Sequence, residues 1–107
     1  MVGIETPESD IQEFNGQQTY IVERFDRRIE NGMPVRLPME DMVQALGLPS
    51  SEKYKVSAVD TLTTLRKMDP SGRLGEEWLR RLAFNVAVDN CDAHARNYSV
   101  MPTFAGW

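Results

Sequence analysis

Asp89-Asn90-Cys91-Asp92-Ala93-His94-Ala95-Arg96-Asn97 is the stretch on which the reading of this chain turns. It holds the only histidine and the only cysteine, together with two aspartates and two asparagines. An amphipathic apolar segment precedes it, and Tyr98-Ser99-Val100-Met101 follows. The polar cluster therefore falls on a helix-to-strand connection, where side chains with proton-accepting and metal-binding oxygens can support phosphoryl transfer.

Protein-kinase catalytic loops carry an Asp, four spacer residues and an Asn. Asp92 and Asn97 have that spacing, but so do Asp10 with Asn15 and Asp26 with Asn31. The bare pattern is cheap, and context has to sort it. Asn15 precedes Gly16 in a tight turn, and Asn31 precedes Gly32 in a polar stretch. Only Asp92 and Asn97 lie between an apolar helix and a short apolar strand. An ionised carboxylate at Asp92 can accept the proton of an attacking hydroxyl and orient it. The Asn97 amide oxygen is a hard neutral ligand suited to Mg²⁺. Taken alone, the same two residues could equally bond backbone groups of their own loop.

The neighbours are read in the same way. His94 could hold the loop's shape or touch a phosphate, and a lone histidine is more often structural. One histidine and one cysteine do not make a zinc site. Cys91 is a poor nucleophile, because its acidic neighbour Asp92 works against the thiolate. Asp89 could pair with Arg96 or bond nearby backbone groups.

The 107 residues allow at most one small domain or a piece of a larger one. A hydrophobic content of 41% and a charged content of 26% are ordinary for a soluble globular chain. No apolar run approaches the roughly 18 residues that span a bilayer, and Met1-Val2-Gly3-Ile4-Glu5 is not a signal peptide, so no membrane partner is expected. The single cysteine excludes an internal disulfide and suits a reducing cytoplasm. A net charge of −4 counts against nucleic-acid binding through bulk electrostatics. The first strand signal begins at residue 9 and the chain stops at Phe104-Ala105-Gly106-Trp107, which reads as a fragment of a longer protein.

Working outward, residues 9–14 and 17–25 flank Asn15-Gly16, a strong signal for a type I′ hairpin. The turn sets Phe14 against Gln17 and Ile11 against Tyr20. Asp26 to Pro38 is polar, with Gly32 and Pro34, and reads as a connector. Pro38-Met39-Glu40-Asp41 looks like a helix start, with Met39, Met42, Val43 and Leu46 on one face and Gly47 as the stop. A second helix is expected over 56–68, with Val59, Leu62 and Leu65 on one side, ended by Asp69-Pro70-Ser71-Gly72. A third is expected over 74–88, with Trp78, Leu79, Leu82, Ala83 and Val86 as its apolar stripe. Glu76 with Arg80 and Glu77 with Arg81 are i,i+4 ion pairs. The expected fold is α+β: one partial domain over 1–107, with a β-hairpin side at 1–26 and a mainly helical portion at 27–107 that carries the chemical loop.

Two segments together resemble one family. Tyr20-Ile21-Val22-Glu23-Arg24-Phe25-Asp26-Arg27 resembles the hinge strand of HipA-like serine/threonine kinases, the toxins of bacterial toxin–antitoxin pairs. Asp92-Ala93-His94-Ala95-Arg96-Asn97-Tyr98-Ser99 resembles their catalytic loop. Leu37-Pro38-Met39-Glu40-Asp41-Met42, Gln44-Ala45-Leu46-Gly47-Leu48-Pro49 and Lys53-Tyr54 are similar to the run between. The matches lie in order over residues 17–101.

The resemblance implies a two-lobed kinase fold, with the hairpin closing the N-lobe and the helices opening the C-lobe. It implies ATP and Mg²⁺ as cofactors, a protein substrate phosphorylated on a hydroxyl, an antitoxin partner, and DNA only through that antitoxin. Asp92 would be the catalytic base, Asn97 would bind Mg²⁺, and His94 would line the nucleotide site. Glu23 and Phe25 would offer backbone groups to adenine, with Arg24 between them. The family's glycine-rich phosphate loop and nucleotide-binding lysine have no counterpart here, nor does a second metal-binding aspartate after Asn97. Lys55-Val56-Ser57-Ala58 replaces the usual glycine-rich turn, and Asn90-Cys91 stands where eukaryotic kinases have His-Arg. Alternatives from other classes are a helix-turn-helix DNA reader over Met39 to Leu65 and a non-catalytic interaction remnant.

Overall fold

The computed structural model describes residues 3–102, which fall into two compact units: Glu5–Leu37, and the rest of the described chain.

The first unit is built from two hairpins. Strand β1 (Ser9–Phe14) pairs antiparallel with β2 (Gln17–Val22), with Phe14 opposite Gln17 and Ile11 opposite Tyr20, as the turn dictates. Asn15 and Gly16 take φ of 50° and 77°, the doubly positive conformation of a type I′ turn. Residues 26–38 are not a loose connector. They hold a second hairpin, β3 (Arg27–Glu30) and β4 (Met33–Arg36), closed by Asn31 and Gly32 at φ of 51° and 77°. The Asn-Gly signal was present, but its strands contain three arginines and a proline and lack alternating apolar residues. Pro34 is tolerated because β4 is an edge strand of a two-stranded ribbon. The Leu37 N–H donates to the Asp26 carbonyl at 2.9 Å, one rung beyond the paired residues.

The second unit contains the helices. Its first helix starts later than the pattern suggests. Glu40–Asp41 form a short strand, β5, and α1 is a single turn, Met42–Ala45. The Asp41 carboxylate accepts from the Gln44 N–H at 2.9 Å, while the Gln44 side chain accepts from the Asp41 N–H at 3.0 Å. This reciprocal capping box fixes the helix start at Met42. Helix α2 spans Ala58–Met68 behind a Ser57 cap. Helix α3 spans Arg73–Ala87, and the Asp69 carboxylate holds its entrance by accepting from Ser71 and from the Leu74 N–H. Residues 46–57 separate α1 from α2, so Met39 to Leu65 is not a helix, tight turn, helix unit of the DNA-reading kind.

Met42, Leu65 and Val100 form the core cluster, with Ala45, Met68, Leu74, Trp78, Ala95 and Tyr98 packed around it. Val100 reaches it from β6 (Ser99–Val100), which pairs antiparallel with β5. The inward faces of the helices differ from the expected stripes. On α2, Thr61 and Leu65 are buried, whereas Val59 is 72% exposed. On α3, Leu74 and Trp78 pack on the core, whereas Leu79 and Val86 are exposed. Thr61 can be buried because its hydroxyl donates to the Ser57 carbonyl at 3.1 Å. The Glu76–Arg80 and Glu77–Arg81 pairs both form on the outer face of α3.

Truncating Leu65, which is 2% exposed, to alanine is expected to destabilise the chain by about 3 kcal/mol. Val59→Ala on the same helix should stay within about 0.5 kcal/mol. Urea unfolding of the two variants reads the difference directly. Equal effects would contradict the observed orientation of α2.

Candidate functional site

The loop between α3 and β6 is tied down residue by residue. Val88 ends the helix and Asp89 turns the chain at φ 55°, a left-handed position that aspartate tolerates. Asn85, on the last turn of α3, donates its amide to the Tyr98 hydroxyl at 2.8 Å and accepts from the Asn90 amide at 2.9 Å. The Asn90 N–H donates to the Asn85 carbonyl at 2.8 Å. In turn the Asn90 side-chain oxygen accepts from the Asp92 N–H at 3.2 Å. This amide relay carries the position of α3 to Asp92.

Beyond Asp92 the chain curls back. The Asp92 carbonyl accepts from the His94 N–H at 2.8 Å and from the Asn97 side-chain amide. Residues Ala95–Asn97 form a 3₁₀ turn capped by His94, whose Nδ1 accepts from the Arg96 N–H at 3.3 Å. Because Nδ1 accepts, the proton of the neutral ring sits on Nε2. That nitrogen lies 3.7 Å from Asp92 Oδ1. The His94 side chain is 9% exposed and that of Asp92 is 78% exposed. A mostly buried imidazole thus stands beside an open carboxylate.

Asp92, His94 and Asn97 are therefore gathered in one loop, with the Asp92 carboxylate exposed and the Asn97 side chain folded back onto the Asp92 carbonyl. The Asn97 amide nitrogen is used on the Asp92 carbonyl, which aims its other atom, Oδ1, away from that bond. Among the described residues nothing donates to Asn97 Oδ1. A cavity of about 220 Å³ lies behind the loop, lined by Tyr54, Trp78, Leu82, His94 and Tyr98 among others. Asp89 does not pair with Arg96: its oxygens accept from Cys91 Sγ at 3.6 and 3.7 Å, and Arg96 faces Asp41 at 3.7 Å. Cys91 is exposed and free. Among the described residues no group of three acidic, histidine or cysteine side chains could by itself hold a metal ion.

Glu23, Arg24 and Phe25 belong to the hairpin unit. The Glu23 N–H donates to the Glu8 carbonyl at 2.8 Å. Among the described residues the Glu23 carbonyl and the Phe25 N–H have no hydrogen-bond partner, leaving one acceptor and one donor two residues apart. Arg24 is committed elsewhere. It grips Asp26 through two bonds of 2.8 and 2.7 Å, and Arg27 reaches the same carboxylate. These bonds, Arg24's first among them, hold the Asp26 carboxyl well below the usual carboxylate range.

From the sequence, Asn85 had no assigned role, Asn90 stood out only as part of the loop, and Tyr54 only as part of the run similar to the family. Asn85 carried a signal, since a polar residue close to an apolar stripe at a helix end often bonds a neighbouring loop. No such signal marked Tyr54, 38 residues before Asp92.

The architecture, antiparallel hairpins followed by helices with a polar loop ahead of the last strand, is α+β. The chain belongs to the family of HipA-like C-terminal domains, whose model matches residues 1–107. It is 33% identical over 108 residues to the putative kinase Y4mE of Sinorhizobium fredii, covering 94% of this chain and 25% of that protein. It is 29% identical over 123 residues to the serine/threonine-protein kinase toxin HipA of Shewanella oneidensis, covering 99% and 28%. The solved complex of HipA, HipB and operator DNA from Shewanella oneidensis MR-1 contains a chain that superposes with a TM-score of 0.74. That match has 28% identity and covers 98% of this chain and 29% of the other. The chain thus spans about a quarter of the length of the curated relatives it matches. Among the described residues no helix is long and apolar enough to cross a membrane.

The Asp26 carboxylate gives a pH prediction. Its folded pKa is depressed, so its stabilising effect is complete above the unfolded value of about 3.9 and is lost as pH falls below that. Melting temperatures of the wild type and Asp26→Asn should differ at pH 7 and converge towards pH 2. A difference that persists unchanged in acid would contradict the ion-pair account.

Proposed function

We propose that this chain forms the hinge and catalytic-loop portion of a HipA-like serine/threonine kinase that transfers the γ-phosphate of ATP to a protein hydroxyl. The observation that carries the reading is the loop at Asp92. An exposed carboxylate is backed by a buried histidine, and an asparagine is folded onto its carbonyl with its amide oxygen left open. This occurs in a chain whose relatives are named kinases.

Asp92 is the general base in this reading. Its carboxylate accepts the proton of the attacking serine or threonine and holds the oxygen towards the phosphorus. Asn97 offers Oδ1 to Mg²⁺, which supplies charge neutralisation of the phosphates when bound. One amide oxygen fits such a cation, because Mg²⁺ normally keeps several waters and shares phosphate oxygens. His94 fixes the turn that presents both residues and lines the nucleotide side of the loop. The Glu23 carbonyl and Phe25 N–H match the donor and acceptor on the edge of adenine. Arg24 has a supporting role, since its bonds to Asp26 hold that strand end in shape. An antitoxin protein is the proposed partner, and DNA contact runs through it. The proposed compartment is the cytoplasm.

In the full-length protein, Asp92→Ala is expected to lower transfer of labelled γ-phosphate to protein acceptors in a cell lysate by at least about 100-fold. Retained transfer would remove Asp92 from the role of base. The 107-residue chain alone should show no transfer, because it offers no glycine-rich phosphate loop and no nucleotide-binding lysine. Asp92-dependent transfer by this chain alone would contradict that expectation.

A further inference from the structure

Two groups from different parts of the helical unit converge on a single oxygen of Asp92. His94 Nε2 stands 3.7 Å from Oδ1. The Tyr54 hydroxyl donates to the same Oδ1 at 3.4 Å. Among the described residues no donor reaches Oδ2. The carboxylate is therefore asymmetric, with one oxygen held by the protein and the other open.

We propose that Tyr54 is a positioning residue that orients the Asp92 carboxylate so that Oδ2 faces the attacking hydroxyl. The inference rests on the reading of Asp92 as the base.

Tyr54 is placed for this role by three contacts independent of the hydroxyl. The 3₁₀ turn Ser50–Glu52 delivers the chain to Lys53, whose carbonyl accepts from the Ala95 N–H at 3.2 Å. That bond fastens the Tyr54 backbone to the catalytic loop. The tyrosine ring meets the His94 ring edge-on, with centroids 5.1 Å apart at 82°. Lys53 Nζ lies over the same ring, 4.9 Å from its centroid. The backbone tie and these two ring contacts set the direction of the side chain, which is 66% exposed, and bring its hydroxyl to Asp92. A long bond of this kind in an unliganded site commonly tightens once substrate is bound. An aromatic residue that served only to cover His94 would have no need of a hydroxyl, so Tyr54→Phe separates the two roles.

The test uses basal ATP hydrolysis by the full-length protein with magnesium, comparing wild type, Tyr54→Phe and Asp92→Ala. Tyr54→Phe keeps the contacts to His94 and Lys53. It should lower kcat roughly three- to tenfold, the range of one lost orienting hydrogen bond. KM for ATP and the melting temperature should not move. A Tyr54→Phe enzyme that matches wild type while Asp92→Ala is inactive overturns the positioning role and leaves the base in place. A loss that appears as a raised KM or a lowered melting temperature also overturns it. An Asp92→Ala enzyme that still hydrolyses ATP at the wild-type rate overturns both, beginning with the base.

Discussion

The helical unit depends on one small piece of backbone pairing. Glu40–Asp41 and Ser99–Val100 form a two-residue antiparallel ladder, and the Met42 N–H extends it by donating to the Tyr98 carbonyl at 2.9 Å. This ladder joins segments sixty residues apart, counted from the paired positions 40 and 100. It places Met42 and Val100 side by side, where Leu65 from α2 completes the core cluster. It also fixes the exit of the Asp92 loop, while Asn85 and Asn90 fix its entrance. Two strand residues per side would contribute little alone. The apolar side chains they bring together give the pairing its stability.

The loop that results is rigid where it touches the fold and open where it faces outward. His94 illustrates the division. Its Nδ1 caps a turn of its own loop, and its ring is covered by Tyr54. Asp92 stands next to it with its carboxylate exposed. An acid-base residue benefits from this arrangement, because a fixed backbone restricts where the carboxylate can point while water and substrate still reach it.

Much of the architecture was legible from local chemistry. Asn15-Gly16 fixed the turn and register of the first hairpin, and the i,i+4 pairs on α3 formed as spaced. The second hairpin was hidden because Arg27, Arg28, Pro34 and Arg36 mask the strand pattern, although Asn31-Gly32 repeated the same turn chemistry. The start of α1 was misplaced because acidic residues at 40 and 41 suit a first helical turn. Asp41 is instead the cap, and Glu40 is claimed by a strand partner 60 residues on. The helix faces were only half legible, since Val59, Leu79 and Val86 fit apolar stripes yet lie exposed. In the site, Asp92, His94 and Asn97 stood out by residue type and by family resemblance. Asn85 carried only the weak signal of a polar residue at the end of an apolar stripe, and the contact of Tyr54 with Asp92 is a tertiary one that no local pattern encodes.

We propose that phosphoryl transfer takes place at the Asp92–Asn97 loop. A crystal structure of the full-length protein with magnesium and a non-hydrolysable ATP analogue tests it most directly. The expected result is a metal ion within coordination distance of Asn97 Oδ1 and the terminal phosphate facing the open oxygen of Asp92. A nucleotide bound with its phosphates away from this loop, or a metal site that leaves Asn97 untouched, would contradict it.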